Sequence, residues 1–323
     1  MNRRGNRMGK MFPWSVLGGL AMAMIAVVSM VHPASAAPVR VSGVHILAHF
    51  DLAAGQQPEN IVAEPDGAVD LTFAFADQVV RVTPDGKMHI LATLPAPAKA
   101  FTPILGVAFL GGIVKTNDGT LYFNYDTGTS DLTGIWRLRP GGVPTRIAAL
   151  PVNGFANGLA LDEQTGLLYS ADSVLGTIWR VSVRGGTPTA WVSGPALAPK
   201  SFAGANGMKV HNGAVWTTNT DAGTLLRIPI GNHGQAQAIE TRATGLTFID
   251  DIAFVGNGDT LLAALNSISE VALVKPDGTH TIVLTATDGL SNPTSIAVHN
   301  ETIFVPSAAY FTKADPNLLE AHI

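Results

Sequence analysis

From about residue 40 onward, short apolar runs alternate with polar turns, and no stretch keeps the 3.6-residue apolar period of a helix. The runs recur in register. Six segments align: PENIVA at 58–63, ILGVAF at 104–109, ANGLAL at 156–161, ANGMKV at 205–210, IDDIAF at 249–254 and PTSIAV at 293–298. Their second residues, Glu59, Leu105, Asn157, Asn206, Asp250 and Thr294, are separated by 46, 52, 49, 44 and 44 positions, a spacing that fits one propeller blade per repeat.

Each segment leads into the same grammar. A turn such as Asp66-Gly67, Asp118-Gly119 or Asn212-Gly213 precedes a second apolar run, LYFNY or AVWTTN. A third follows as QVVRV at 78–82, GIWRL at 134–138, TIWRV at 177–181 and TLLRI at 224–228; a further turn then leads to a fourth run such as HILAT. Asp-Gly and Asn-Gly between alternating runs are strong hairpin signals. Four strands per repeat and six repeats predict an all-β, six-bladed β-propeller with four-stranded antiparallel blades. The last repeat ends after a third strand near PNLLEAHI, while VHILAHF at 44–50 mimics the outer strand MHILATL at 88–94, so the N-terminal strand is expected to close the final blade.

The first residues follow another pattern. Arg3, Arg4, Arg7 and Lys10 precede an uncharged apolar run from Trp14 to Val31 and the small triplet Ala34-Ser35-Ala36. This is the order of a secretory signal peptide over 1–36, with a membrane anchor as the rival reading of the apolar run. The propeller domain is then 37–323 and the location secreted or periplasmic. Removing 1–36 takes away four basic and no acidic residues, moving the formal charge from -4 to -8. An acidic chain without a basic stripe lacks the footprint that nucleic acid demands. The expected partner is a small-molecule substrate, with no membrane association after cleavage and a monomeric state. There is no cysteine, which excludes disulfides, thiolate nucleophiles and cysteine metal sites.

In a propeller the first strand of each blade lines the central channel, so positions of one repeat phase converge. Glu59, Asn157, Asn206 and Asp250 share that phase. Two carboxylates and two amide oxygens without imidazole or thiolate suit one hard cation, Ca²⁺ before Mg²⁺. The other reading is that Asn-Gly serves turn chemistry and the ring is a hydrogen-bonded structural one. Phe101, Phe155, Phe202 and Phe248 fall shortly before their blades' first strands. Together they predict an apolar vestibule above the ring, to which the loops between second and third strands would bring Tyr125, Asp126, Asp172, Asn219, Asn266 and Tyr310, with the loop around 124–134 as a lid. His211, beside a turn, and Arg81, Arg137, Arg180 and Arg227, which recur on third strands, read as structural.

Blade grammar such as NGLALDEQTGLLYSADSVLGTIWRV, with this ring, resembles the calcium-dependent six-bladed propeller hydrolases: the SMP-30/gluconolactonase group, the paraoxonases and the diisopropylfluorophosphatases. The ligand set of Glu59, Asn157, Asn206 and Asp250 is similar to the paraoxonase and diisopropylfluorophosphatase calcium site, since gluconolactonases use an acidic residue where Asn206 stands. The resemblance implies hydrolysis of a lactone or another ester-like bond, with Asp250 as base or nucleophile and Glu59 second. Paraoxonases carry a catalytic His where Leu105 aligns, so a His mechanism does not carry over. Their second calcium uses acidic residues where Asn60 and Gly158 stand, so one ion is implied. Gluconolactonases read sugar hydroxyls with an Arg from blade two; none lies between Phe101 and Asn124, so an apolar substrate is expected. The rival from another class is a non-catalytic propeller that binds a ligand or protein on its loop face.

Overall fold

The computed structural model describes residues 40–323; the expected signal peptide at 1–36 lies outside the described residues. In chain order, β1 (Ser42–His49) precedes blade one, formed by β2 (Pro58–Ala63), β3 (Val69–Phe73), β4 (Gln78–Val82) and β5 (Met88–Thr93). Blade two is β6 (Phe109–Lys115), β7 (Leu121–Asp126), β8 (Gly134–Leu138) and β9 (Thr145–Ala149). Blade three is β10 (Ala156–Asp162), β11 (Leu167–Asp172), β12 (Thr177–Ser182) and β13 (Thr189–Ser193). Blade four is β14 (Ala205–His211), β15 (Ala214–Asn219), β16 (Thr224–Pro229) and β17 (Glu240–Ala243), and blade five is β18 (Ile249–Phe254), β19 (Leu261–Leu265), β20 (Glu270–Val274) and β21 (His280–Leu284). The sixth sheet runs β22 (Ala297–His299), β23 (Thr302–Ser307), β24 (Asn317–His322) and, outermost, β1. All six sheets are four-stranded and antiparallel, so the fold is a six-bladed β-propeller. Helix is confined to two single 3₁₀ turns among the described residues.

Hydrophobic clusters lie between successive blades, as the face-to-face packing of half-apolar sheets requires. Leu71, Phe73 and Val80 of blade one pack with Phe304 and Leu318 of blade six, and Trp216 and Leu225 of blade four with Leu261 and Leu265 of blade five. Each such side chain, when fully buried, contributes about 1.5–3 kcal/mol. Third-strand arginines brace the blades: Arg81 reaches Asp70 at 2.7 Å and Glu64 at 2.6 Å, and Arg180 donates to the Gly234 carbonyl at 2.6 Å. His211 stacks on Phe254 with ring centroids 3.8 Å apart, a structural role.

One irregularity repeats on the inner strands. The pairing of β2, β6, β10, β14 and β18 with their second strands slips near the start, between Pro58 and Asn60, Leu110 and Ile113, Ala156 and Leu159, Ala205 and Met208, and Ile249 and Ile252. An extra residue in a strand re-aims its neighbours. Here it turns two successive positions toward the axis instead of one.

Blade two corrects the expected repeat. ILGVAF at 104–109 is not its inner strand; β6 begins at Phe109. Ile113 pairs with Phe123 as Leu159 pairs with Ser170, so Gly111, not Leu105, stands where Asn157 stands in blade three. Gly111 and Gly112 hide the strand from an apolar pattern, but their bareness has a packing reason. A Cβ on Gly111 would lie 2.8 Å from the Asn157 carbonyl oxygen, and one on Gly112 2.3 Å from the Leu159 nitrogen. The expected inner strand at 293–298 also shrinks, to the three residues of β22.

Two outcomes test this architecture. Removing residues 40–51 uncovers the β24 edge, and an open edge invites pairing between chains; light scattering should rise and Tm fall relative to the intact chain. Gly112→Ala should cost about 2–3 kcal/mol through backbone overlap, lowering Tm by roughly 5–10 °C in a thermal melt.

Candidate functional site

Inner strands begin at one end of the propeller, and the loops between outer and inner strands and between second and third strands gather there. A cavity of about 280 Å³ opens at that end. Its floor carries Glu59, Asn157, Asn206 and Asp250, so all four predicted ring residues meet. Its walls are apolar: Phe75, Phe109 and Phe155 stand beside Phe202, Phe248 and Phe311, with Ile104 and Leu105. Tyr310 and Lys313 complete the loop side.

Second-strand residues hold the ring in place. Asp126 accepts from the Ala156 amide at 3.0 Å and Asp172 from the Phe155 amide at 2.9 Å, while Asn124 donates to the Asn157 carbonyl at 2.9 Å. Thr218 donates to the Asp250 carbonyl at 2.6 Å. Buried among such amides, the Asp126 carboxyl is pushed up to about 7 by desolvation. Asn206 Nδ2 donates to Asp250 Oδ1 at 2.9 Å and to Thr220 Oγ1 at 3.0 Å, which leaves its own Oδ1 as acceptor. Asn266 Nδ2 donates to Asp250 Oδ2 at 3.2 Å, while Asn266 Oδ1 is buried without a protein partner. The Tyr310 hydroxyl donates to Glu59 Oε2 at 2.5 Å.

Beneath the ring lies a second polar tier that sequence reasoning missed. Asp251 Oδ2 accepts from Lys209 Nζ at 2.6 Å, Ser295 Oγ at 2.6 Å and Asn60 Nδ2 at 3.1 Å. The signal was in the sequence: Asn60, Asp251 and Ser295 each directly follow a ring position, but plain strand alternation assigns them to the other face. The bulge overrides that alternation.

The electrostatics of the ring are unbalanced. Burial pushes the Glu59 carboxyl up to about 8, with Asp251 adding to the rise and the Tyr310 hydrogen bond opposing it. Burial raises Asp250 well above the usual carboxylate range, and the charges of Glu59 and Asp251 raise it further. The Tyr310 phenol is likewise pushed up, by burial and then by Glu59. The Lys209 ammonium is engaged by Asp251 in the lower tier. Two buried carboxylates, the acceptor oxygens of Asn157 and Asn206 and the orphaned Asn266 Oδ1 make an oxygen-rich set that fits a hard cation. Among the described residues, no group of three or more His, Cys, Asp and Glu side chains is arranged to hold a metal, so any such site would depend on amide oxygens as much as on carboxylates.

The vestibule differs in part from expectation. Phe155, Phe202, Phe248 and Tyr310 line the cavity; Phe101 and Tyr125 do not. Phe101 lies on the long 94–108 loop, its amide donating to the Thr127 carbonyl at 2.9 Å, and is 70 % exposed. Tyr125 shares a strand face with Leu121 and Phe123, so it points between blades one and two and bonds the Pro95 carbonyl at 3.1 Å. Of the other residues expected nearby, Asn266 reaches the cavity, whereas Asp126, Asp172 and Asn219 hold backbone. Phe75, Phe109 and Phe311 were missed, since none stands just before an inner strand as that strand was read from sequence. The walls form two aromatic chains: Tyr310, Phe75, Phe109 and Phe155 at centroid steps of 5.7, 6.3 and 4.8 Å, and Phe202, Phe248 and Phe311 at 5.9 and 5.6 Å. Phe248 links the second chain in a left-handed backbone conformation, φ 53°, which disfavours a bulky residue.

No family model and no curated protein sequence matches the chain. Solved structures do. A protein described as a gluconolactonase superposes with a TM-score of 0.62 at 15% identity, over 88% of this chain and 93% of that one. The calcium-binding protein regucalcin from Agrobacterium tumefaciens gives 0.62 at 15%, over 85% and 94%. Virginiamycin B lyase from Staphylococcus aureus gives 0.57 at 15%, over 87% and 98%. The chain therefore shares with these proteins the fold of a β-propeller.

The raised carboxyl pKa values give a sign that can be measured. Glu59 binds its proton more tightly folded than unfolded, so its contribution to the stability of metal-free protein is lost as pH rises from about 4.5 to about 8. Thermal melts of chelated protein should show Tm falling across that window. Added calcium should flatten the fall, since a ligand bound by the folded state alone stabilises it.

Proposed function

We propose that this chain is an exported hydrolase of lactones or other ester-like bonds, dependent on one Ca²⁺ and selective for apolar substrates. The observation that carries the reading is the joining of Glu59 and Asp250, buried without a cationic partner, to the floor of an aromatic cavity. Glu59, Asn157, Asn206 and Asp250 would hold the ion. When bound, calcium would polarise the substrate carbonyl and keep both carboxylates ionised.

The chain's own groups do the rest. The phenylalanine walls exclude water and seat an apolar acyl or lactone ring, while a sugar lactone would lose hydration there without enough partners. Asp250, oriented by the amides of Asn206 and Asn266, takes a proton from water. The water oxygen bonds to the carbonyl carbon, the carbon–oxygen bond to the leaving group breaks, and the leaving oxygen recovers the proton from Asp250. Tyr310 holds Glu59 through Oε2 and so fixes which oxygen of that carboxylate remains free.

Metal analysis of purified protein, combined with a panel of lactones and aryl esters, tests this. An apolar lactone should be hydrolysed faster than gluconolactone and only with calcium present. Asp250→Asn should lower kcat by about 10²- to 10⁴-fold with a smaller loss of calcium affinity, since an amide still offers an oxygen but accepts no proton. Glu59→Ala should weaken calcium binding first. Ligand binding without turnover across the panel would replace this reading with that of a non-catalytic binding propeller.

A further inference from the structure

The stacking of His211 on Phe254 fixes the imidazole plane and leaves its Nε2 edge facing two hairpin turns at the end of the propeller away from the cavity. One turn, Asn212-Gly213, joins β14 to β15; the other, 255–260, joins β18 to β19. Five polar groups meet there. His211 Nε2 stands 2.9 Å from the Gly258 carbonyl oxygen and 3.7 Å from Asp259 Oδ1. The Asn212 side-chain amide stands 2.9 Å from His211 Nε2, 3.0 Å from Asp259 Oδ1 and 3.2 Å from the Asn257 carbonyl oxygen. The His211 and Asp259 side chains are partly exposed, and a Cβ built on Gly213 or Gly258 meets nothing within 4 Å, so the cluster is open to solution.

No placement of hydrogens satisfies all five groups. If Nε2 carries a proton it donates to the Gly258 carbonyl, but it then faces the Asn212 nitrogen, which accepts nothing, at 2.9 Å. If Nε2 instead accepts from Asn212, its lone pair faces the Gly258 oxygen at 2.9 Å. Turning the Asn212 amide over relieves Nε2 and sets Oδ1 against the Asp259 carboxylate at 3.0 Å and the Asn257 carbonyl at 3.2 Å. Each arrangement leaves two like groups in contact, and a cation among them removes the conflict. The spacings agree. Metal–ligand bonds of about 2.0–2.2 Å set neighbouring donors about 3.0 Å apart in an octahedral shell and about 3.4 Å apart in a tetrahedral one. Here they lie between 2.9 and 3.7 Å.

We propose that His211 Nε2, Asp259 Oδ1, the Asn257 and Gly258 carbonyls and Asn212, its amide turned to present Oδ1, bind one divalent first-row transition-metal ion such as Zn²⁺. The imidazole nitrogen selects this class over Ca²⁺, whose ligands are oxygens. The ion fastens blade four to blade five at the turns, on the side opposite the cavity, and takes no part in the reaction proposed above. The stacked ring is thus a ligand as well as a packing element.

The test titrates Zn²⁺ into untagged, chelator-stripped protein held in excess calcium, following histidine side-chain nitrogens by NMR and Tm by thermal melt. The His211 Nε2 resonance, assigned by its loss in His211→Gln, should move, and saturating Zn²⁺ should raise Tm by roughly 5 °C. Asp259→Asn, a change at a partly exposed turn residue, should weaken Zn²⁺ binding about tenfold or more while leaving the Tm of metal-free protein in place. Asn212→Asp tolerates the left-handed turn conformation, φ 47°, and offers an oxygen in either orientation, so it should tighten binding by a similar factor. A His211 resonance that stays still while another histidine responds overturns the proposal. So does a Zn²⁺ affinity unchanged in both Asp259→Asn and Asn212→Asp, which would make the cluster a hydrogen-bonded clasp between turns.

Discussion

Glu59 and Asp250 approach one axis from blades one and five, both buried, and neither joins an ion pair among the described residues. In a medium of low dielectric, that arrangement must take up protons or a cation. Much of the surrounding architecture answers to it. Asn206 and Asn266 orient the Asp250 carboxylate, Tyr310 engages Glu59, and Asp126 and Asp172 steady the inner strand that carries Asn157. A propeller suits the task because the axis is the place where the inner strands of all its blades converge. A group held jointly there would join strands far apart in sequence, so folding and site formation become one event.

The blade plan was legible because hairpin turns and apolar alternation are local signals, and they set strands such as β4, β8 and β12 where QVVRV, GIWRL and TIWRV were read. The ring was legible for the same reason: four oxygen-bearing residues share one phase of the repeat. Blade two was misread because its inner strand is marked by Gly111 and Gly112, chosen for the close passage of blade three's backbone, which no single-chain pattern reports. The Asp251 tier was hidden by the bulge, a pairing irregularity between strands. Tyr125 was misplaced because strand parity, not loop proximity, decides which face a side chain takes. The exposure of Phe101 was illegible for another reason. Exposure is a property of the assembled surface, and Phe101 and Phe109 look alike in sequence although one faces water and the other the cavity.

Two forms of order meet at the cavity end. Below, most polar groups are held at short range by backbone amides and side-chain carboxamides, which fixes them tightly, while Asn266 Oδ1 and Asp251 Oδ1 are left without a protein partner. Above, Phe202, Phe248 and Phe311 pack against one another across three blades, and Phe248 does so from an unfavourable backbone conformation. The floor is thus the rigid part, and the aromatic wall is the part that can yield to ligands of differing shape.

The Asp251 tier has a bearing on traffic. Lys209, Ser295 and Asn60 converge on one carboxylate and occupy the axis directly under the ring, so what might have been a through-channel is a blind well. Whatever enters between the phenylalanines must leave by the same doorway. Departing molecules then contend with arriving ones, and turnover at high concentration is governed by clearance of the well as much as by events at its floor.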